Sequence, residues 1–266
     1  HEFAKRGAKI VINDLGGSVD GTGEGDAADA VVKEIEAMGG QAIANKASVS
    51  DRSGAQSIVD DALNAFGRID ILVNNAGILR DKSFKKMSLD EWDLVLDVHL
   101  NGSAYVTHAA WPHMNAQKYG RIVLTSSGSG IYGNFGQANY GAAKMGMLGM
   151  MNVLAIEGGK NNVRVNTLAP GAATRMIATI PGRDFDVDNP PAERSPKLVS
   201  PAVLFMCSEE APNGAVINAM GGRYYRSQVF VNDPVELDVG ATVEDLQAQA
   251  EALMDMGAAH PPNRGA

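Results

Sequence analysis

Short runs rich in β-branched residues alternate along this chain with longer helical patterns. The runs that predict strands are 9–14, 41–49, 69–73, 121–125, 163–168 and 215–220. The segments with apolar residues at helical spacing are 27–38, 53–66, 88–115, 139–158 and 200–208. Such alternation indicates parallel strands joined by helical crossovers rather than a sandwich of two sheets. The sequence therefore predicts an α/β fold with a doubly wound parallel sheet in a single domain.

Length and charge limit the possible classes of function. With 266 residues, of which 45% are apolar and 20% charged, the chain has material for one sizeable core. Its formal net charge of −8 argues against nucleic acid as a partner, because neutralising phosphates requires a basic face. The longest apolar runs are far shorter than the roughly 20 residues needed to cross a bilayer, so no membrane partner is predicted.

The single cysteine, Cys207, cannot form an internal disulfide. No cluster of cysteine and histidine has the spacing of a zinc site, so no metal is predicted. A lone thiol is typical of a reducing compartment, and we therefore expect a cytoplasmic protein.

Tyr140 and Lys144 are four residues apart at the start of the predicted helix 139–158, which places their side chains on one face. A free phenol has a pKa near 10. An ammonium about 4 Å away in a partly buried site is worth on the order of 4 kcal/mol. That interaction would lower the pKa of the phenol by roughly 3 units. The pair therefore predicts a general acid/base, although the same spacing also occurs on surface helices.

Other polar residues are predicted near this pair. Ser127 lies 13 residues upstream of Tyr140, at the end of a strand, where its hydroxyl can meet the same substrate oxygen. The segment 74–77 ends another parallel strand, on the side where such sheets bind ligands. Asn101 is a polar residue within an otherwise apolar helical stretch. From the residues alone, a structural role for Asn101 is as plausible as a catalytic one.

Taken in this order, the residues resemble the short-chain dehydrogenase/reductase family. The resemblance is carried by Asn74-Asn75-Ala76-Gly77, Asn101, Ser127, Tyr140, Lys144 and Pro170-Gly171. It runs from the first strand to about Gly222 and implies a Rossmann-type sheet. In that family Tyr140 would exchange the alcohol proton, and Lys144 would lower its pKa and bind the nicotinamide ribose. Ser127 would orient the substrate oxygen, and Asn101 would hold a water in a proton relay.

The same resemblance implies a set of cofactor contacts. The residues expected to line the dinucleotide are Asp14, Leu15, Ser48, Val49, Asn75, Ala76, Gly77, Tyr140, Lys144, Pro170, Gly171 and Thr174. Asp14 ends the first strand, where a carboxylate can bind the adenosine ribose but repels a 2′-phosphate, so NAD is favoured over NADP. A turn-forming aspartate is the alternative. Ser48 departs from the family pattern, which often has an aspartate at this position.

Two motifs narrow the resemblance. The segments 13–17 and 129–140 are similar to the (3R)-hydroxyacyl-CoA dehydrogenase unit of the peroxisomal multifunctional enzyme type 2 and its stand-alone bacterial relatives. This likeness implies the NAD-dependent interconversion of a (3R)-3-hydroxyacyl-CoA and a 3-ketoacyl-CoA. Hydroxysteroid dehydrogenases and 3-oxoacyl carrier protein reductases remain alternatives. A non-catalytic dinucleotide-binding scaffold is the alternative from another class.

The first strand of the family and its glycine-rich phosphate loop are expected before His1 and are missing from the sequence. Because that strand is central in the family sheet, we expect the natural protein to contain it. The predicted organisation is an N-terminally incomplete dehydrogenase domain over 1–222 and a C-terminal extension over 223–260. The extension is predicted to contain a docked helix over 242–256, with Thr242 and Asp245 placed to cap its start. A disordered tail is predicted over 261–266.

The predicted helix 139–158 is apolar around most of its circumference. Such a helix needs cover on more than one side, which favours a subunit interface. With the family resemblance, this pattern predicts a homodimer or homotetramer; a helix buried within one chain is the alternative.

Overall fold

A computed structural model describes residues 1–17, 25–178, 185–186 and 189–262. The strands in this part of the chain are β1 (Lys9–Asn13), β2 (Gln41–Asn45), β3 (Ile71–Asn74), β4 (Gly120–Thr125), β5 (Val163–Gly171), β6 (Val216–Met220) and β7 (Arg223–Ser227). The first helices are α1 (Ala27–Ala37), α2 (Arg52–Phe66), α3 (Leu89–Leu96), α4 (Gly102–Ala116) and α5 (Gly128–Tyr132). The later ones are α6 (Ala138–Gly159), α7 (Arg175–Ala178), α8 (Ser200–Met206), α9 (Val243–Ala248) and α10 (Ala250–Met254). No helix among the described residues is long and apolar enough to cross a membrane.

The strands form two separate hydrogen-bonded groups. Five of them hydrogen-bond in the order β3-β4-β5-β6-β7, and the pairs from β3 to β6 are parallel. β1 and β2 form a separate parallel pair. The strands alternate with helices along the chain, so the predicted α/β fold with a Rossmann-type parallel sheet is confirmed.

Strand β4 lies inside the five-stranded sheet, between β3 and β5, and its six residues are all buried. Ile122 and Leu124 belong to an apolar cluster with Met114 of α4 and Met147 of α6. Val123, which points to the opposite face, packs in a second cluster that includes residues of α8. Alternate residues of one strand therefore face helices on both sides, which is the doubly wound arrangement.

The sheet is interrupted between β1 and β3. Among the described residues, β1 pairs with β2 and β3 pairs with β4, and a wide cleft separates their other edges. The strand predicted over 69–73 is apolar along most of its length, but Val73 is 36% exposed and lines the cleft. The expected additional strand before His1 stays a prediction.

Two helical segments differ from their predictions. The helix predicted over 88–115 contains a π-helical turn at Asp97–Asn101, between α3 and α4. The loop predicted between β4 and α6 contains α5, a five-residue helix rich in glycine and serine. Ser127 caps α5 by accepting a hydrogen bond from the Ser129 amide, and Gly133 ends it at a φ of +84°. A cap and a glycine stop support a helix that its composition does not favour.

The chain divides into two compact units, His1–Arg226 and Ser227–Ala266. The extension predicted from residue 223 begins with β7, which is hydrogen-bonded to β6. In the second unit, the helix predicted over 242–256 is two short helices, α9 and α10, and Thr242 and Asp245 form the expected capping box. The predicted docking of this segment stays a prediction, and residues 263–266 of the predicted tail lie outside the described part.

Candidate active site

The predicted site residues follow the carboxyl ends of parallel strands, as ligand sites of such sheets do. They surround a cleft of about 1240 Å³ that opens between β1 and β3. The predicted residues that line this cleft are Asp14, Leu15, Ser48, Val49, Asn75, Ala76, Gly77, Ser127, Tyr140, Lys144, Pro170 and Thr174. Gly171 and Asn101 do not line it. The cleft exceeds the roughly 300–1,000 Å³ of usual ligand pockets, because it includes the interruption of the sheet.

Tyr140 is held in place by its neighbour Asn139 at the start of α6. The Asn139 side chain is fully buried, and its amide nitrogen donates to the carbonyl oxygens of Arg80, at 3.3 Å, and Glu91, at 3.1 Å. Its side-chain oxygen accepts a 2.7 Å hydrogen bond from the amide of Tyr140. The first turn of α6 is thereby tied to α3 and to the loop before it.

Ser127 and Tyr140 both line the cleft, and Ser127 is close enough to influence the pKa of the Tyr140 hydroxyl. Burial raises the pKa of the Tyr140 hydroxyl above its usual value, and the hydrogen bond with Ser127 acts in the opposite direction. The negative charge of Asp81 is a further, smaller influence that raises this pKa. The structure therefore brings together the serine and tyrosine that the sequence predicted to share one substrate oxygen.

Lys144 lies behind Tyr140 and is only 3% exposed. Its Nζ donates a 2.7 Å hydrogen bond to the Thr125 carbonyl oxygen and stands 5.5 Å from the centre of the Tyr140 ring. Burial lowers the pKa of Lys144 to about 7. We expected Lys144 to lower the pKa of Tyr140, but that pKa is raised in this structure, because desolvation disfavours the charged forms of both groups.

Asn101 is not brought to these residues. Its amide nitrogen donates a 2.7 Å hydrogen bond to the Asp97 carboxylate on the same helical segment. The residue from this segment that reaches the site is His99, which is 1% exposed and lines the cleft. Its ring packs edge-on against Tyr140, with centroids 5.1 Å apart and planes at 89°. The prediction of Asn101 in the proton relay has no support in this geometry.

His99 is held by the main chain that follows β3. Its Nε2 lies 2.8 Å from the Ile78 carbonyl oxygen and 3.1 Å from the Ile78 amide nitrogen. The shorter contact assigns the proton to Nε2, which leaves Nδ1 as a buried acceptor without a hydrogen-bond partner. Burial, with the nearby charge of Lys144, lowers the pKa of His99 to about 3, so the ring is neutral. A buried unpaired acceptor costs about 1–3 kcal/mol, which indicates that stability alone does not account for this arrangement.

The adenosine side of the cleft contains Asp14, Leu15, Ser48 and Val49. The Asp14 carboxylate follows β1, is exposed, and accepts a 2.7 Å hydrogen bond from the Gly16 amide. It therefore forms a turn as well as lining the cleft. The Ser48 hydroxyl is 2.8 Å from that of Ser50, so it has a partner within its own loop.

The other side of the cleft contains the segment after β3. The side-chain oxygen of Asn75 accepts a hydrogen bond of 3.4 Å from the Thr125 hydroxyl, which joins the ends of β3 and β4. Gly77 lies against the His99 ring. Gly171 packs against Met220 of β6, which explains why it supports the cleft without lining it.

Two further residues near the site, Gln137 and Asn139, were not predicted as site residues from the sequence. Gln137 is buried, and its amide nitrogen donates a 2.7 Å hydrogen bond to the Asp81 carboxylate. With Asn139, it fastens the segment before α6 to the loop at 80–82. Both belong to the motif at 129–140, but only their burial in the structure indicates their role.

The residues present fit a nicotinamide dinucleotide. A carboxylate able to bind a ribose and the Ser127, Tyr140 and Lys144 group line one continuous cleft at the carboxyl edge of the sheet. Lys144 keeps two of its three ammonium hydrogens available beyond its bond to Thr125, which suits a ribose with two hydroxyls. No group of three or more metal-ligating side chains occurs within the described ranges.

The comparisons with known proteins agree with this fold and cleft. The family model of short chain dehydrogenases matches residues 1–181. A short-chain type dehydrogenase/reductase of Mycobacterium tuberculosis is 47% identical over 260 residues, which cover 97% of this chain and 89% of that protein. The mouse peroxisomal multifunctional enzyme type 2 is 52% identical over 222 residues, 83% of this chain but only 29% of that enzyme.

A solved structure gives the same answer. The crystal structure of a short chain dehydrogenase from Mycobacterium avium superposes with a TM-score of 0.82 at 36% identity, covering 98% of this chain and 90% of that one. Matches of this extent in sequence and structure establish the family. The chain belongs to the short-chain dehydrogenase/reductase family, and it is thus an oxidoreductase that acts on CH–OH groups with a nicotinamide dinucleotide cofactor.

Proposed function

We propose that this protein interconverts a (3R)-3-hydroxyacyl-CoA and the corresponding 3-ketoacyl-CoA, with NAD as the hydride acceptor and Tyr140 as the acid/base. The observation that carries the proposal is the convergence of Ser127, Tyr140 and Lys144 in one cleft. Ser127 counteracts the rise that burial causes in the pKa of Tyr140, and the Nζ of Lys144 lies 5.5 Å from the centre of the tyrosine ring.

In the oxidation, deprotonated Tyr140 takes the proton from the substrate hydroxyl as the carbon gives up its hydride. Bound NAD supplies the hydride chemistry. Ser127 has one hydroxyl proton: without substrate it stabilises the phenolate of Tyr140, and with substrate bound it is donated to the reacting oxygen. Lys144 binds the nicotinamide ribose, and its buried charge favours the phenolate when that charge is present. Reduction of the ketone reverses each transfer, with Tyr140 returning the proton.

Two features support the finer assignments. The carboxylate of Asp14 at the end of β1 favours NAD, because it would repel the 2′-phosphate of NADP. The 52% identity to a peroxisomal multifunctional enzyme type 2 supports an acyl-CoA substrate. A cytoplasmic location stays our prediction, from the lone thiol of Cys207, which is buried.

The proposal is tested with purified full-length protein, NAD and (3R)-3-hydroxyacyl-CoA substrates of several chain lengths, followed by NADH absorbance. We expect turnover of the 3R but not the 3S enantiomer, and a loss of roughly 10²- to 10⁴-fold in Tyr140→Phe. Hydroxysteroids and 3-oxoacyl carrier protein with NADPH serve as rival substrates. Higher kcat/KM on a rival would replace the acyl-CoA assignment, and full turnover by Tyr140→Phe would refute the tyrosine mechanism.

We also propose that the protein is a homo-oligomer built on α6. One face of this helix is buried within the chain, whereas Met145, Val153 and Ile156 are 42%, 54% and 69% exposed. The exposed apolar residues recur at helical spacing and form one stripe. Light scattering is expected to give a dimer or tetramer for the wild type and a smaller species for Val153→Glu. A monomeric wild type would disprove the proposal.

A further inference from the structure

The ring of His99 joins two parts of the site that are distant in sequence. Its Nε2 donates a 2.8 Å hydrogen bond to the Ile78 carbonyl oxygen, just beyond the cofactor segment 75–77. Its edge meets the Tyr140 ring at 5.1 Å between centroids. The ring is almost completely buried, so neither contact is exchanged for water. A shift of this ring would therefore move Tyr140, the loop after β3, or both.

Gly77 leaves the space that the ring occupies. A Cβ on residue 77 would stand 2.2 Å from Cε1 of His99, 2.9 Å from Nδ1 and 3.1 Å from Nε2. The φ of Gly77 is not positive, so its backbone would accept an alanine. The three heavy atoms nearest to a Cβ at residue 77 all belong to the His99 ring, so this ring is the first obstacle to a side chain there.

We propose that His99 is a positioning residue that sets the Tyr140 ring against the 75–78 loop, and that residue 77 is glycine in order to admit the His99 ring. This inference rests on the proposed role of Tyr140. The ring is neutral, so it does not replace Tyr140 as the acid/base near neutral pH. It acts through geometry, by fixing the distance between the tyrosine hydroxyl and the segment that lines the cofactor cleft.

The two residues are tested by a double-mutant cycle in the full-length protein. Gly77→Ala must displace the ring by about 1 Å, and a displacement of that size lowers kcat by roughly 10²-fold. His99→Ala lowers kcat by roughly tenfold or more. The double variant is expected to be no slower than His99→Ala alone, because the added methyl then enters the vacated space. Losses that multiply in the double variant would overturn the proposal.

The pH profile separates positioning from a merely structural role. If His99 holds Tyr140 in reach of Ser127, then His99→Ala weakens the hydrogen bond that lowers the pKa of Tyr140. In the plot of kcat against pH, the limb that reports the deprotonation of Tyr140 should therefore move to higher pH. A lower melting temperature with unchanged kcat and an unmoved limb would mean that His99 is structural only.

Controls and a second variant keep the outcome decisive. His108→Ala, at an exposed position on α4, and Gly159→Ala, where the added Cβ would be 3.9 Å from its nearest neighbour, are expected to leave kcat unchanged. If Gly77→Ala does not fold, His99→Phe, which keeps a ring but not the bond to Ile78, must also lower kcat. Wild-type kcat in both His99 variants would disprove the inference while Tyr140→Phe remained inactive; an active Tyr140→Phe would instead refute the proposed function.

Discussion

The side-chain ammonium of Lys144 donates a 2.7 Å hydrogen bond to the main-chain carbonyl oxygen of Thr125. The cation is therefore directed at the end of β4 rather than at the Tyr140 hydroxyl. In addition, the Ser126 hydroxyl donates a 2.8 Å hydrogen bond to the carbonyl oxygen of Lys144. Two bonds thus fix α6 to the strand from which Ser127 extends, and burial controls the protonation of the lysine.

The buried lysine predicts a pH dependence of stability. Its pKa is lowered to about 7 in the folded protein, from 10.5. Between these values the unfolded chain binds more protons, so the free energy of unfolding rises with pH across this window. Below about pH 7 Lys144 is protonated in both the folded and the unfolded chain, and the cost of burying its charge is then paid in full by the folded state. The wild type should gain on the order of a few kcal/mol relative to Lys144→Met between pH 7 and 10, measured by urea unfolding. A constant difference between the two proteins would contradict this.

Asp81 provides a test of the electrostatics around Tyr140. Its charge raises the pKa of the tyrosine, and Asp81→Asn removes this charge while keeping an oxygen for the Gln137 amide. We expect the acid limb of the oxidation profile to shift to lower pH, with up to roughly several-fold faster turnover on that limb. Asp93→Asn, at an exposed position on α3, is the control. An unmoved limb would show that Asp81 is too well screened to matter.

The close approach of α5 and α6 can be tested at two glycines of one helix. A Cβ at Gly130 would lie 2.8 Å from the Met145 amide nitrogen, whereas at Gly128 the nearest atom is 3.9 Å away. Gly130→Ala should lose about 1–3 kcal/mol of unfolding free energy. It should also lower kcat by roughly tenfold, because α5 carries the capping residue Ser127 away from Tyr140. Gly128→Ala should change neither the unfolding free energy nor kcat. Equal effects of the two substitutions would disprove the close packing of Gly130 against α6.

Asp14 is predicted to set the preference between the two nicotinamide dinucleotides. Asp14→Ala removes the charge that would repel a 2′-phosphate, so the ratio of kcat/KM for NAD over NADP should fall by roughly 10- to 100-fold. Initial rates with each cofactor measure this ratio. Glu36→Ala, an exposed carboxylate on α1 outside the cleft, should leave it unchanged. An unchanged ratio in Asp14→Ala would mean that the carboxylate only forms the turn with Gly16.

The sequence placed Tyr140 and Lys144 correctly relative to each other, because the pair follows strict helical spacing. Tyr140 and Lys144 share one face of α6, and Ser127 follows β4, because such positions depend only on local periodicity and strand order. Asn101 was not placed correctly. A helical pattern assumes 3.6 residues per turn, and the π-helical turn at Asp97–Asn101 changes that register. His99 therefore faces Tyr140, while the Asn101 amide bonds to Asp97.

The sequence by itself determined the α/β fold, the order of its elements and the candidates for the reacting side chains, because periodicity and short motifs are local properties of the chain. Only the tertiary structure decided the protonation of these groups and the partners that hold them. Burial depends on residues far apart in sequence, as when α6 covers Lys144 against β4. The same is true of His99, whose role follows from contacts with residues 21 and 41 positions away, Ile78 and Tyr140.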